Sequence, residues 1–240
     1  LGYTTLLVRS DPADVLTRHP MAPALATSDH TIENAFLAVA VAANGTLVLT
    51  DKRSGQVYTG LLTFEDAADV GDGYAHGVAV NDQVFSTAAA RCAVAVVHNG
   101  PLQATLRVRT ELEAPARFRF DLMQRSPELV GLVIDSRVTL RRGSAHVEIE
   151  TTVHNVVEDH RLRVLFPAGA AAQTYLADTP FDVVERPIAL RADNHLYREL
   201  EVETKPQQSW SAVHDDRRGL AIVSTGLLES AVCDLPDRAL

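Results

Sequence analysis

The sequence contains few of the residues on which redox, metal or ring-stacking chemistry depends. It has two cysteines, one tryptophan and 5% aromatic residues in 240 positions. Cys92 and Cys233 lie far apart along the chain, which permits one disulfide or two buried free thiols, and we expect the free thiols. So few aromatic rings are atypical of a module that binds sugars on an exposed aromatic platform.

The sequence also lacks the features of nucleic-acid-binding proteins and of membrane proteins. The formal net charge is −9 and no run of Lys or Arg exceeds a pair, whereas nucleic acid binding requires a basic face. No apolar run approaches the roughly 20 residues that span a membrane. The start of the chain lacks the charged and apolar regions of a signal peptide. We therefore expect a cytoplasmic protein that contacts neither nucleic acid nor membrane.

The usual motifs of catalytic centres do not occur in the sequence. There is no Gly-x-Ser-x-Gly nucleophile elbow, phosphate loop or dinucleotide fingerprint. Nine histidines justify a search for zinc ligands, yet no His/Cys cluster has ligand spacing. The nearest candidate, His214-Asp215-Asp216, precedes Arg217-Arg218-Gly219 and is more simply interpreted as a solvated turn. Cofactor chemistry within this chain is therefore unsupported.

Strand-like alternation is the dominant pattern that the sequence does contain, and it is clearest from Ser136 to Pro167. After a turn at Arg141 to Ser144, one face holds Val147, Ile149, Thr151 and Val153, and the other holds His146, Glu148, Glu150, Thr152 and His154. The alternation resumes at Leu162, Val164 and Phe166. A period of two predicts strands with one dry face, and such a face must be covered by a second sheet.

Similar strands recur along the rest of the chain. A meander begins at Ile32, and Asn44-Gly45 predicts a two-residue hairpin turn between two alternating runs. Further strands are predicted around residues 92–96, 102–108, 200–204, 210–213 and 219–223, whereas residues 168–172 are read as a flexible segment of small residues. No segment shows helical periodicity over three turns. The chain is therefore predicted to be all-β, a large antiparallel β-sandwich, in one large domain or two small ones.

The two ends of the chain suggest a domain boundary near residue 31. Gly2 to Val8 reads as a strand, and residues 10–31 are a Pro-rich connector. We predict that residues 1–31 are a leading strand and linker from a preceding β-subdomain, and that residues 32–240 are the main β-domain. The first residue is not Met and the last residues show no polar tail, so we expect a piece of a longer polypeptide.

A predicted acidic loop from Phe64 to Asp82 is the main candidate for a functional segment. Glu65, Asp66, Asp69 and Asp72 could supply the carboxylate pair of a glycosidase, although four such acids are more often simply exposed; their spacing does not match a calcium-binding helical hand. Tyr74 could contact a sugar or pin the loop to the sheet. Arg186 could reach a sugar hydroxyl, but is expected to pair with Glu185.

An ordered series of motifs resembles the carboxy-terminal β-region of glycoside hydrolase family 38, the bacterial-type α-mannosidases, along nearly the whole chain. The motifs are Ile32-Glu33-Asn34 with Phe36-Leu37, Gly45-Thr46-Leu47, Asp51-Lys52-Arg53-Ser54-Gly55, Phe64-Glu65-Asp66, Gly71-Asp72-Gly73-Tyr74, Gly100-Pro101-Leu102, Arg142-Gly143-Ser144, Asp159 to Pro167, Phe181 to Pro187 and Gly219-Leu220-Ala221. The resemblance implies a supersandwich of the galactose mutarotase-like kind, preceded in the full enzyme by an α/β catalytic domain and a helical domain.

The resemblance also implies that catalysis and structural support are carried out by different parts of the full enzyme. Family members are retaining glycosidases whose aspartate nucleophile and zinc ligands lie in the amino-terminal part, so this chain would contain no catalytic or metal-binding residue and would be inactive alone. Tyr74 and Asp72 match a segment near the sugar pocket and are the implied substrate contacts. The partners would be an α-mannoside and the missing domains of the same chain, whose absence would leave a surface that favours a homo-oligomer.

A second function from a different class fits the same fold. The chain could be a free-standing carbohydrate-binding or protein-interaction sandwich. Its low aromatic content and the position of Trp210 within a predicted strand argue against that alternative.

Overall fold

Antiparallel strands account for nearly all of the regular structure. The computed structural model describes residues 3–5, 7, 22–72, 74, 76–198 and 200–240. The strands are β1 (Ala26–Ser28), β2 (Thr31–Glu33), β3 (Leu37–Val41), β4 (Leu47–Asp51), β5 (Val57–Leu61), β6 (Thr63–Ala68), β7 (Phe85–Ser86), β8 (Arg91–Asn99), β9 (Gln103–Pro115), β10 (Phe118–Arg119), β11 (Gln124–Arg125), β12 (Leu129–Arg141), β13 (Glu148–His154), β14 (His160–Leu165), β15 (Thr174–Thr179), β16 (Asp182–Pro187), β17 (Lys205–Pro206), β18 (Trp210–His214), β19 (Gly219–Val223) and β20 (Glu229–Ser230).

Helical structure is limited to two single turns in the described residues. These are the 3-10 helices Thr87–Ala89 and Asn194–Leu196. In the same part of the chain, no helix has the length and apolar character that crossing a membrane requires.

Two sheets form the main body of the domain. One is the five-stranded meander β1-β2-β3-β4-β5, and the other has the order β13-β12-β9-β8. Leu37 and Val39 of β3 belong to the same buried cluster as Leu132 and Ile134 of β12. Because alternate residues of a strand share a face, the apolar face of each sheet covers that of the other. The predicted all-β class and antiparallel sandwich are therefore confirmed.

The remaining strands form two further sheets and two short ribbons. The sheets have the orders β14-β6-β7 and β16-β15-β18-β19, and the ribbons are β10-β11 and β17-β20. A second buried cluster includes Ala168, Ala170, Tyr175 and Val213, and Leu220 packs against both clusters. Ala168, Ala170 and Ala172 are therefore core, and the interpretation of residues 168–172 as a flexible segment was wrong.

The β3–β4 hairpin shows how local sequence sets a turn. Val41 lies opposite Leu47, and the backbone N–H of Gly45 donates to the carbonyl of Ala42 at 2.9 Å. The hairpin is confirmed, but its turn is longer than the two residues predicted. Gly45 has a φ of +84°, and a Cβ there would lie 3.0 Å from the Cβ of Cys92. Both the left-handed backbone and the close approach therefore favour glycine.

The central ribbon is confirmed in part. Val138 pairs with Ile149 across β12 and β13, and Gly143 has a φ of +77° in the connecting turn. Two expectations were wrong. Strand β13 is an edge strand whose side chains are mostly exposed, Ile149 included, and β14 leaves this sheet to pair with β6. An alternating pattern identifies a face but not the strand that will pair with it.

Three further predictions can be compared with the described residues. The strand proposed at residues 200–204 was wrong, since pairing there begins only with β17. Strand β1 lies within the stretch predicted as a connector. In the predicted leading strand from Gly2 to Val8, residues 3–5 and 7 are described and do not form a strand, and the other three lie outside the described residues. Cys92 and Cys233 are both free, as expected, but they are half-buried and not fully buried.

Candidate functional site

Strand β6 leads directly into the candidate site. Its side chains alternate, with Phe64, Asp66 and Ala68 buried. It pairs with β14 on one side and with β7 on the other. The residues between β6 and β7 form a long loop, which we call the 69–84 loop. Glu65 and Asp66 belong to the strand and not to the loop, so the predicted loop began too early.

Backbone hydrogen bonds to Asp69 close the first part of this loop. The Asp69 Oδ1 accepts the N–H groups of Gly71 and Gly77, each at 2.9 Å, and Oδ2 lies 3.1 Å from His76 Nδ1. Burial raises the pKa of Asp69, but the backbone hydrogen bonds from Gly77 and Gly71 and the nearby His76 ring outweigh burial and lower it. The ionised carboxylate is therefore the form that this turn favours.

Close backbone packing completes the turn. The N–H of Val70 donates to the carbonyl of Gly77 at 2.9 Å. A Cβ at Gly77 would lie 2.4 Å from the backbone nitrogen of Gly71. Since backbone atoms cannot yield as a side-chain tip can, a residue larger than glycine would force the turn apart.

Tyr74 projects from this turn into solvent. Asp72 Oδ1 accepts the backbone N–H of Tyr74 at 2.8 Å, which is the hydrogen bond of an Asx turn. The Tyr74 side chain is 100% exposed. The ring therefore does not pin the loop to the sheet, and that interpretation was wrong. A contact of Tyr74 or Asp72 with a sugar stays a prediction.

Arg186 lies on β16, in a different sheet from β6. Its Nη1 donates to the carbonyl of Pro206 at 2.7 Å. Glu185 instead accepts the hydroxyl of Thr174 at 2.7 Å, and no ion pair joins the two neighbours in the described structure. Burial raises the pKa of the Tyr175 phenol, and the nearby Arg186 guanidinium opposes that effect. The predicted pairing with Glu185 was wrong, and the role in substrate binding stays a prediction.

A buried cluster of charges lies next to the loop, and it was not predicted from the sequence. Asp66 contacts both Arg125 of β11 and His160 of β14. The side-chain exposures are 0% for Asp66, 2% for Arg125 and 5% for His160. The prediction that these loop acids are simply exposed was therefore wrong for Asp66. Its inward position in the alternation of β6 was the one available signal.

His214-Asp215-Asp216 forms a turn, as expected. Asp215 accepts the backbone N–H groups of Ala171 at 2.6 Å, Arg217 at 2.7 Å and Arg218 at 2.9 Å. These hydrogen bonds lower the pKa of Asp215 to about 2. No group of three or more His, Cys, Asp or Glu side chains that could hold a metal ion occurs in the described part of the chain.

Replacing Asp215 by Asn should lower stability near neutral pH, and the effect should disappear in acid. The carboxylate has a pKa of about 2 in the folded protein against 3.8 as the ordinary value. Its stabilising effect is therefore complete above the unfolded pKa and is lost as the pH falls through the folded one. Urea midpoints of Asp215→Asn and wild type should converge over that interval. Asp216→Asn is the control, and a difference that persists unchanged in acid would contradict this assignment.

Two shallow concavities lie on the outer face of the β13-β12-β9-β8 sheet. Their volumes are about 220 and 530 Å³, and Arg137 and Glu150 line both. Asp72, Tyr74 and Arg186 line neither of them. Their walls are mainly arginines, carboxylates, threonines and histidines, and the apolar residues are Val97 and Ile149, with no Phe, Tyr or Trp. They therefore lack the predominantly apolar lining typical of small-molecule pockets. The 69–84 loop is therefore the better candidate.

Known proteins share both the sequence and the fold of this chain. A protein of Halalkalibacterium halodurans described as "Putative mannosylglycerate hydrolase" is 28% identical over 174 residues, which is 67% of this chain and 19% of that protein. An alpha-mannosidase of Enterococcus faecalis V583 superposes with a TM-score of 0.83 and 31% identity, over 90% of this chain and 26% of the other. A glycosyl hydrolase family 38 protein of Enterococcus faecalis gives 0.81 and 31%, over 93% and 27%.

This chain corresponds to only a part of each of these longer relatives. The chain spans between 19% and 27% of the length of these relatives. The family model described as "Glycosyl hydrolases family 38 C-terminal domain" matches residues 32–236, which is most of the chain. The chain therefore belongs to glycosyl hydrolase family 38, and residues 32–236 correspond to the C-terminal domain of that family.

Proposed function

We propose that this chain is the non-catalytic β-sandwich portion of a longer, retaining, zinc-dependent α-mannosidase of the cytoplasm. It supports the catalytic domain and contributes the 69–84 loop to the pocket that binds a terminal α-mannoside. The observation that carries this proposal is the family match over residues 32–236, together with the fold shared with an alpha-mannosidase.

The proposed zinc belongs to the part of the enzyme outside this chain. The described residues offer no convergent set of His, Cys, Asp or Glu ligands, and three or four such donors are what zinc requires. No catalytic step is assigned to this chain. Its proposed contribution is substrate contact, chiefly through Tyr74, with Asp72 beside it and Arg186 as a separate contact from β16.

The activity is tested with the longer protein that contains this chain. It should hydrolyse aryl α-mannosides, lose activity to a chelator and regain it with zinc. Mannosylglycerate is the second substrate to assay, because the relative from Halalkalibacterium halodurans carries that name. An inert longer protein in the presence of zinc would refute the proposed activity, and hydrolysis by these 240 residues alone would refute the non-catalytic role.

Replacing Tyr74 by Ala in the longer protein should raise KM for an aryl α-mannoside roughly tenfold, with little change in kcat. Loss of one ring contact and one hydroxyl hydrogen bond costs on the order of 1.4 kcal/mol, which is a factor of ten in binding. The ring is exposed here, so the change should not destabilise the fold. Steady-state kinetics and a thermal melt provide the two measurements.

A matched control for this substitution is available elsewhere in the chain. Tyr197 is also exposed, and its hydroxyl contacts Arg191 at 2.6 Å. Tyr197→Ala should leave KM unchanged. Equal KM values for Tyr74→Ala and wild type would refute the proposed contact between Tyr74 and the sugar.

The same proposal includes an apolar region at the 69–84 loop and the β10–β11 ribbon, which the missing domains would cover. Ala79 of the loop packs with Phe118 at the start of the β10–β11 ribbon. The loop and the segment around the ribbon also carry several exposed apolar side chains, namely Tyr74, Val78, Val80, Val84, Phe120, Leu122 and Met123. An exposed apolar surface is typical of an interaction site. We propose that the rest of the enzyme covers this end, and that the isolated chain self-associates through it into a homo-oligomer.

The rival function remains a free-standing carbohydrate-binding or protein-interaction module. It predicts that the isolated chain binds mannose or oligomannosides tightly without the rest of the enzyme. Calorimetric titration of the isolated chain separates the two proposals, because the pocket proposed above is incomplete without the catalytic domain.

A further inference from the structure

The buried charge cluster of Asp66, Arg125 and His160 is unusual for a domain with no catalytic role. An isolated buried charge is costly, so buried ionic groups persist where several partners satisfy them. Asp66 lies between Arg125 and His160, which come from strands β11 and β14. The Arg125 guanidinium also lies 5.4 Å from the centre of the Phe85 ring on β7. The carboxylate therefore joins β11 and β14 to β6, and Arg125 extends the contact to β7.

Arg125 holds both ends of the 69–84 loop. Its Nη1 donates to the carbonyl of Gln83 at 3.2 Å and approaches the carbonyl of Asp66 at 3.5 Å. Gln83 lies at the end of the loop and Asp66 just before its start. Asp82 adds a second link, since its Oδ2 accepts the backbone N–H of Ala68 at 2.9 Å. The spacing between the ends of the loop is therefore fixed by contacts within this cluster and beside it.

His160 links the cluster to the first residue of the loop. It pairs with Ala68 in the β14–β6 register, and its neighbour Asp159 accepts the backbone N–H of Asp69 at 2.9 Å. Asp69 is the residue whose carboxylate closes the turn below Tyr74. A shift of His160 would therefore be transmitted to the turn through one strand pair and one backbone hydrogen bond.

Both ring nitrogens of His160 face acceptors. Nδ1 contacts the carboxylate of Asp66, and Nε2 lies 3.0 Å from Asn155 Oδ1. The identity of that oxygen is supported by Val157, whose backbone N–H donates to it at 3.0 Å. The ring is therefore held at both ends, by Asp66 on one side and by Asn155 on the other.

We propose that Asp66, Arg125 and His160 are positioning residues that set the place of the Asp69 to Gly77 turn, and with it the place of Tyr74. The inference rests on the proposed function of Tyr74 as a sugar contact. The three residues do not touch the substrate. They act through the ends of the loop, and their effect on substrate affinity passes through Tyr74.

The test uses two substitutions of His160 in the longer protein. In His160→Asn, the side-chain amide nitrogen can replace Nδ1 as the donor to Asp66, whereas in His160→Gln the amide lies nearer the position of Nε2. We expect His160→Gln to raise KM for an aryl α-mannoside roughly tenfold with little change in kcat, and His160→Asn to restore a KM within about threefold of wild type. His146→Gln, at an exposed histidine just before β13, should change neither constant.

A double substitution separates positioning from general destabilisation. In a Tyr74→Ala background, His160→Gln should raise KM no further, because the contact that it displaces is already absent. An equal rise in KM in both backgrounds would overturn the proposal, as would a KM for His160→Gln that matches wild type.

A readout without substrate distinguishes failure of this proposal from failure of the proposed function. Amide hydrogen exchange should be faster in His160→Gln than in wild type at Gly71, Tyr74 and Gly77, and unchanged in the β3–β4 hairpin. Faster exchange at these amides in an enzyme inactive on mannosides would support positioning of the turn and refute only the activity. Unchanged exchange would overturn the positioning role whatever the activity.

Discussion

Replacing Asp66 by Asn should lower the free energy of unfolding by about 3–5 kcal/mol, the usual cost of removing one partner from a buried ion pair. The carboxylate forms an ion pair with Arg125 and a hydrogen bond with His160, and all three side chains are buried. An amide carries no charge and has one oxygen in place of two, so Arg125 would lose its counter-charge without gaining access to water. Urea denaturation of the variant and wild type measures the difference.

The control for Asp66 is an exposed ion pair with the same chemistry. Glu148 accepts from Arg141 at 2.8 Å on the edge strand β13, and their side chains are 44% and 53% exposed. Glu148→Gln should cost at most about 1 kcal/mol, because solvent screens exposed pairs. A loss below that value for Asp66→Asn, or equal losses for the two variants, would show that the cluster contributes little to folding.

Local sequence was sufficient to predict the hairpins, in which two strands that follow each other in the chain pair. The β3–β4, β8–β9 and β12–β13 hairpins each combine two alternating runs with a polar, glycine-containing turn. Such contacts are local, so the pattern specifies both partners at once. The pairing of β14 with β6 joins residues roughly a hundred positions apart. Alternation in either strand gives its buried face, but nothing in it selects the distant partner.

The same limitation explains why the charge cluster was missed. Asp66 occurs in an acid-rich stretch that resembles a solvated loop, and its partners Arg125 and His160 come from strands far along the chain. Only the tertiary fold brings their charges together. The inward position of Asp66 between Phe64 and Ala68 was visible in the sequence, and a carboxylate at such a position needs a buried partner.

The site residues were predictable to different degrees. The loop that presents Tyr74 was found because alternation stops after β6, whereas the closed turn depends on the contacts of Asp69 with Gly71 and Gly77. The error at Arg186 has a geometric cause. Consecutive residues of a strand point to opposite faces of the sheet, so Glu185 and Arg186 on β16 cannot meet. Each finds a partner on its own face, Thr174 for Glu185 and Pro206 for Arg186.

Replacing Leu132 by Ala should lower the free energy of unfolding by about 2–5 kcal/mol, the range found for buried leucines whose surroundings close only partly around the cavity. Leu132 is fully buried in the main cluster between the two large sheets, opposite Leu112 on β9. Two packed sheets cannot easily move together to fill a single vacancy, because each strand is held by its neighbours. Chemical denaturation with an unchanged slope would report this loss as a change in stability alone.

The matched control lies three positions away on the same strand. Leu129 is 48% exposed, because an odd number of steps along β12 places it on the opposite face from Leu132. Leu129→Ala should therefore change stability by no more than about 0.5 kcal/mol, as is usual at surface positions. The two variants remove the same atoms from the same strand, so a difference between them measures burial between the sheets. Equal losses would mean that the outer face of β12 is covered as fully as the inner one, which would contradict a sandwich with a single dry interface.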